Sequence, residues 1–153
     1  MQISARGLDA LKRYEALRLT MYDDSGGACT IGYGHLVHKG RTGTNPKAEA
    51  PFVGGISENI ASDLLLQDTR IAQGAVNRFV SVPLAQHQFD ALVSFVFNVG
   101  GQAFKTSTML KRLNAGDYIG AARQFGVWVN DNGKRVQGLV NRRAQERQMF
   151  EGA

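Results

Sequence analysis

The sequence predicts an α+β fold with its two kinds of element segregated: a small N-terminal β-hairpin lobe, a larger helical C-terminal lobe, and a long helix joining them. Three observations carry this. Apolar residues recur every three or so positions up to Tyr14, then every second position from Leu17, then at helical spacing again after Ser57. Between the first two regimes lies the turn signal Asp23-Asp24-Ser25-Gly26-Gly27. Only three prolines interrupt 153 residues, and 43% hydrophobic with 20% charged residues is the composition of a globular domain that can bury its own core. One domain over 1–153 is expected, with a β-rich lobe near 15–56 and a helical lobe from 1–14 plus 57–153.

Taken in order, Ser4 is an N-cap, and Leu8, Leu11 and Tyr14 put a short amphipathic helix over residues 5–14. Glu15 follows at its C-terminal end, where the helix dipole and the unpaired carbonyls disfavour negative charge and favour the neutral, proton-donating acid. Leu17, Leu19 and Met21 alternate with Arg18, Thr20 and Tyr22, as in a half-buried strand, and Cys29 to Tyr33 is the returning strand. Residues 38–55, with four glycines and two prolines, are expected to form an irregular surface excursion with room for one more short strand. Ser57 then caps a helix whose apolar residues Ile60, Leu64, Ile71, Ala75 and Phe79 keep one face to residue 79. Pro83 opens another, with Phe89, Leu92, Val93 and Val96 together, ending near Gly100-Gly101. Shorter helices follow Ser107 and Asp117, and the last covers 136–150.

Composition also excludes. The most apolar window, Ala91 to Val99, is half the length of a membrane span, and no secretory signal is visible, so synthesis and retention in the cytoplasm are expected until another agent releases it. Cys29 is the sole cysteine: no internal disulfide is possible, and a small structural side chain in a strand is expected. His38 and His87 have no partner at ligand spacing, so neither a metal nor a cofactor is expected. Charge is uneven. Nine basic residues balance nine acidic ones up to Phe104, whereas nine face four from Lys105 onward, so the net +5 lies in the last third. Such a face draws the protein toward polyanions such as an anionic envelope surface. Without an aromatic-interleaved basic stripe or a helix-turn-helix pattern, nucleic acid is not the expected partner.

The chemistry-bearing group is Glu15, Asp24 and Thr30 around the glycine-rich turn. Splitting a glycosidic bond takes a proton for the leaving oxygen and a second carboxylate across the sugar. That carboxylate directs a water when the pair stands roughly 6.5–9.5 Å apart, or attacks directly at roughly 5–5.5 Å. A Glu and an Asp at this spacing usually mean solvated surface. The run Thr30-Ile31-Gly32-Tyr33-Gly34-His35 is more particular, because glycines inside a strand mark a bend or a close backbone approach.

These motifs resemble the T4-type phage lysozymes, the endolysins of glycoside hydrolase family 24. The likeness lies in Glu, eight residues, Asp, five residues, Thr, within Leu-Arg-Leu-x-x-Tyr-x-Asp and before Thr-Ile-Gly-Tyr-Gly-His. It continues through Phe97-Asn98-Val99-Gly100, Ser107-Thr108-Met109-Leu110, Leu113 to Asp117, and Trp128 ahead of Gly138 to Arg143. It spans the whole chain except residues 41–55, and the later segments are closer to the endolysins of lambdoid phages. The resemblance implies a lysozyme-like fold and an inverting muramidase, with Glu15 as proton donor, Asp24 as the base that orients water and Thr30 helping to place it. Asp23 is the rival to Asp24; spacing to Glu15 and Thr30 favours position 24. By the same resemblance His35 is a structural hydrogen-bonding residue, and Leu36, Phe97 and Ser107 line the saccharide cleft, although core packing or helix capping explains Phe97 and Ser107 equally well. Arg143 lies at the centre of the face made by Val136, Leu139, Val140 and Phe150, and is expected to reach Glu15, with Arg142 as the fallback. A monomer acting on peptidoglycan after release through a holin is implied. The rivals are a lytic transglycosylase, and a wall- or polyanion-binding module without catalysis.

Overall fold

Ser4 starts the first helix: its Oγ accepts from Gly7 N at 3.1 Å, and α1 runs Ala5–Tyr14 in the computed structural model, which describes residues 1–153. Contacts divide the chain into two compact units, Leu11–Asp68, and Met1–Ala10 together with Thr69–Ala153.

In the first unit, β1 (Arg18–Asp23), β2 (Cys29–Gly32) and β3 (His35–His38) form an antiparallel sheet in that order. Tyr22 faces Thr30 and Asp23 faces Cys29 across the first ladder; Thr30 faces Leu36 and Ile31 faces His35 across the second. The central strand is buried throughout. Its partner β1 is less buried than its alternation predicts, and Leu19 is 39% exposed, because β1 is an edge strand. That edge is partly covered. Ile56 N donates to Leu19 O at 2.9 Å, and Gly55, at φ +92°, lies so close that a Cβ would meet Leu19 O at 2.9 Å.

The third strand starts at His35, earlier than the excursion expected to hold it, after the two-residue connection Tyr33-Gly34. Within 41–55 the chain forms short helical turns rather than a strand: α2 (Pro46–Glu49), capped by Asn45 Oδ1 on Ala48 N, then a 3-10 turn over Ala50–Phe52. Helix α3 (Glu58–Asp68) begins where Ser57 Oγ accepts from Ile60 N at 3.2 Å. The single helix predicted to residue 79 is therefore two, α3 and α4 (Arg70–Phe79), with Thr69 between them. Thr69 keeps helical dihedrals, φ −73° and ψ −12°; its buried hydroxyl accepts from Gln73 Nε2 at 2.8 Å, and its carbonyl accepts from Gln73 N at 2.8 Å.

The second unit is built on α5 (Gln86–Val99), whose start lies three residues beyond Pro83, where Gln88 Oε1 accepts from Ala85 N. Around it lie α6 (Gly101–Lys105), α7 (Thr108–Asn114), α8 (Tyr118–Gln124) and α9 (Gln137–Phe150). Phe95 is central, with edge-on contacts to Phe104, Phe125 and Trp128 at centroid distances of 6.4, 5.4 and 5.5 Å. The first residues complete this unit: the Met1 amino group donates to Asn77 Oδ1, Ile3 N to Gln73 Oε1 and Ser4 N to Asp90 Oδ1. Between α8 and α9 a two-residue ribbon, β4 (Asn130–Asp131) with β5 (Lys134–Arg135), turns through Asn132 and Gly133, both at positive φ.

Candidate active site

Glu15 directly follows α1 and is half-buried. A Cβ placed on Gly34, whose φ is +79°, would lie 3.5 Å from Glu15 Oε2, so the carboxylate rests on the β2–β3 connection. This is the close backbone approach that the strand glycines announce. Gly32, at φ +70°, serves the same end on the other side, where a Cβ would touch Ala61 at 3.4 Å.

Asp24 is exposed at the tip between β1 and β2. Its Oδ1 accepts from Gly26 N and Ala28 N, both at 2.9 Å, while its own N donates to Ala28 O. Both side-chain bonds fall on Oδ1, so Oδ2 carries none of the turn's hydrogen bonds. Thr30 is buried beneath, and its hydroxyl donates to Ala28 O at 2.9 Å. One residue, Ala28, thus links the acid and the hydroxyl: its N–H serves Asp24 and its C=O serves Thr30. With its proton given to Ala28, Thr30 Oγ1 has only lone pairs to offer a further partner.

Asp23, the rival carboxylate, is engaged elsewhere. Its Oδ1 accepts from the backbone N–H and the hydroxyl of Thr42, both at 2.8 Å, and those bonds hold its carboxyl below the usual carboxylate range. His35 Nδ1 lies 2.8 and 3.1 Å from the two oxygens of Asp68, and its ring packs 5.9 Å from that of Phe52. Leu36 projects from β3 at 47% exposure. Phe97 is half-buried against the helical core. Ser107 is a helix cap: buried, it accepts from Leu110 N and donates to Phe104 O.

Arg143 is buried and multiply bonded within its own unit. Its Nε donates to Trp128 O at 2.9 Å, Nη1 to Glu146 Oε2 and Nη2 to Asn98 Oδ1, with the guanidinium 5.0 Å from the Phe95 ring centroid. Arg142 donates from Nε to Glu146 Oε1 at 2.9 Å and from Nη2 to Ser94 O at 3.0 Å. Of the face expected on α9, Phe150 and the central Arg143 are buried, whereas Val136, Leu139 and Val140 are exposed or half-buried, and Arg142 and Glu146 make the rest of the buried side. Glu146 is the residue that sequence reasoning missed. Its spacing of three and four from the two arginines was the available sign.

A second polar cluster was also missed. Cys29, His38 and Glu49 bring donor atoms within 4.8 Å of one another. A cation there would displace bonds already made: Gly40 N donates to His38 Nδ1, which makes Nε2 the protonated nitrogen, and that nitrogen donates to Glu49 Oε2 at 3.2 Å. Glu49 also accepts from Gly43 N at 2.7 Å and Asn45 N at 2.8 Å, and these backbone bonds hold its carboxyl below the usual range. The cluster is complete as a hydrogen-bonded clasp.

The family model for phage lysozyme matches residues 12–146, nearly the whole chain. The chain belongs to the phage lysozyme family. Membership makes it a lysozyme whose substrate is peptidoglycan and whose place of action is the bacterial cell wall. Among phage lysozyme relatives, an endolysin of Acyrthosiphon pisum secondary endosymbiont phage 1 is 44% identical over 159 aligned positions, covering all of both chains. The endolysin of Salmonella phage P22 is 41% identical over 150, covering 98% of each. An endolysin structure from Escherichia coli O157:H7 phage FAHEc1 superposes with a TM-score of 0.83 at 38% identity, covering 99% of this chain and 94% of that one. No helix is long and apolar enough to cross a membrane.

Proposed function

We propose that Glu15, Asp24 and Thr30 hydrolyse the β-1,4 bond between N-acetylmuramic acid and N-acetylglucosamine with inversion. Glu15 gives its proton to the leaving glycosidic oxygen as the bond to the anomeric carbon breaks. A water on the opposite face forms the new bond to that carbon and gives a proton to Asp24 Oδ2. The observation that carries this reading is the Ala28 link. It leaves Asp24 one oxygen outside the turn's hydrogen bonds and leaves Thr30 with lone pairs, so a water between them is held by both of its protons. Its own lone pair is then aimed at the sugar.

Leu36 supplies apolar surface to the glycan, and the His35–Asp68 pair supports the connection beside Glu15. The protein acts as a monomer without a cofactor, reaches the wall through a holin, and is drawn to the anionic envelope by exposed Lys105, Lys111, Arg123, Lys134 and Arg135.

Clearing of chloroform-treated Gram-negative cells by the wild type, Glu15→Gln, Asp24→Asn and Thr30→Val tests the assignment. Glu15→Gln is expected to lose about two to four orders of magnitude. Mass spectrometry of the digested wall separates the rivals: reducing ends support hydrolysis, anhydromuramyl ends mean a lytic transglycosylase. Equal clearing by wild type and Glu15→Gln puts the site elsewhere.

A further inference from the structure

The segment between β3 and α3 has no counterpart in the motif that assigns the active site, yet it is bonded to the strand end from which Asp24 projects. We infer that Asp23, gripping Thr42 of this segment, is a positioning residue that sets the direction of the Asp24 carboxylate. The inference rests on Asp24 being the base.

Asp24 sits at the head of a weakly determined tip. Ser25, Gly26 and Gly27 follow it, all of the turn is solvent-accessible, and Gly27 has φ +81°. From the turn side, its carboxylate is held by two backbone N–H groups on one oxygen. Those bonds fix the side chain relative to the turn, but not the turn relative to the sheet. Asp24 N bonds to Ala28 O at the end of the ladder, and a further constraint comes from residue 23, since neighbouring residues in a strand share a peptide plane and point to opposite faces.

Residue 23 carries that constraint. Asp23 Oδ1 takes both the N–H and the hydroxyl of Thr42 at 2.8 Å, two bonds to an ionised acceptor, the stronger kind. Thr42 is itself anchored. Its Oγ1 lies 3.4 Å from Cys29 Sγ, the residue facing Asp23 across the ladder, and Cys29 N donates to Gly40 O at 2.8 Å. Beyond it the buried Glu49 takes Gly43 N, Asn45 N and His38 Nε2. Two carboxylates therefore grip three closely spaced backbone N–H groups, those of Thr42, Gly43 and Asn45. What reads in sequence as an irregular excursion is a clasp closed on the base-bearing strand end.

Placement matters here because a reacting group moved by about 1 Å loses on the order of a hundredfold in rate. Turnover and KM on soluble glycan fragments are measured for the full-length wild type, Asp23→Ala, Thr42→Val, Thr42→Ser and Asp24→Asn, at a temperature where circular dichroism shows each folded. Asp23→Ala is expected to lower kcat about tenfold or more with KM within about twofold. Thr42→Val is expected to lower kcat by a smaller factor, and Thr42→Ser, which keeps the hydroxyl, to restore it. A kcat for Asp23→Ala within twofold of wild type, beside an inactive Asp24→Asn, overturns the positioning role while leaving the base assignment intact. Full activity in Asp24→Asn overturns the base assignment instead. If Asp23→Ala does not fold, the Thr42 pair decides: equal loss in Thr42→Val and Thr42→Ser sinks the inference.

Discussion

Replacing Glu146 by alanine tests the ionic core of the helical unit. Glu146 and Arg143 are each 1% exposed and Arg142 is 7% exposed. Glu146 Oε1 receives Arg142 Nε at 2.9 Å and Ser94 Oγ at 2.8 Å, and Oε2 receives Arg143 Nη1. Truncation leaves the Arg143 guanidinium out of water without this carboxylate. Its other partners are neutral: Trp128 O, Asn98 Oδ1 and the Phe95 ring. Removing one member of a buried ion pair costs about 3–5 kcal/mol, a large share of the roughly 5–15 kcal/mol that holds a protein folded. At roughly 2–4 °C per kcal/mol for a domain of this size, the melting temperature falls by about 6–20 °C. Urea unfolding followed by the fluorescence of Trp128, the only tryptophan and a direct partner of Arg143, reads the loss locally. The exposed pair Arg147–Glu151, 2.8 Å apart and 44% exposed on each side, is the internal control, and Glu151→Ala is expected to cost less than about 1 kcal/mol. If Glu146→Ala also costs less than about 1 kcal/mol, the argument from burial is wrong.

Ser107→Ala removes a cap and is expected to cost about 0.5–2 kcal/mol by denaturation while leaving wall-clearing activity near wild type; a large drop in activity without a stability loss would make Ser107 a glycan contact. Gly34→Ala strains a left-handed residue by roughly 1–2 kcal/mol and sets a methyl 3.5 Å from Glu15 Oε2, so the activity assay should register a greater loss than the melting curve does. Asp23 and Glu49 have folded-state values lowered from 3.8 and 4.5, so the unfolded chain binds protons more readily. Their contribution is fully present above those ordinary values and fades as pH falls through the lowered ones. Acid titration of stability is expected to flatten below about pH 4 in Asp23→Asn and Glu49→Gln, and an unchanged acid limb would refute it.

The periodicities of the first sixty residues were legible because each is local: helix, strand and turn follow from spacings of three and two. The proposed trio can be nominated for the same reason, since Glu15, Asp24 and Thr30 lie within sixteen positions and one turn. Three features were not. Leu19 obeys the alternation of a buried strand, yet strand order, a non-local property, puts it on an edge. The helix from Ser57 keeps its apolar spacing through Thr69, where α3 gives way to α4 at a single residue that still has helical dihedrals, a break that no sequence pattern marks. On α9 the sequence puts Arg143 and Phe150 on the inward face, as found, but not Glu146, whose burial depends on its pairing with the arginines, while Val136, Leu139 and Val140 are more exposed than their hydropathy suggests. Asn132-Gly133 was a readable hairpin sign for the small ribbon and was passed over.

The helical unit is discontinuous in sequence, since Met1–Ala10 complete it through bonds to Gln73, Asn77 and Asp90. During translation residues 1–10 must therefore wait for partners seventy or more codons downstream. The hairpin unit is contiguous over Leu11–Asp68, so its three strands can pair as soon as that stretch has emerged. Synthesis thus imposes an order of assembly in which the parts bearing Glu15, Asp24 and Thr30 have their own lattice before the helices have theirs. A nascent chain stalled shortly after Asp68 would carry a native-like sheet and an unattached N-terminal arm.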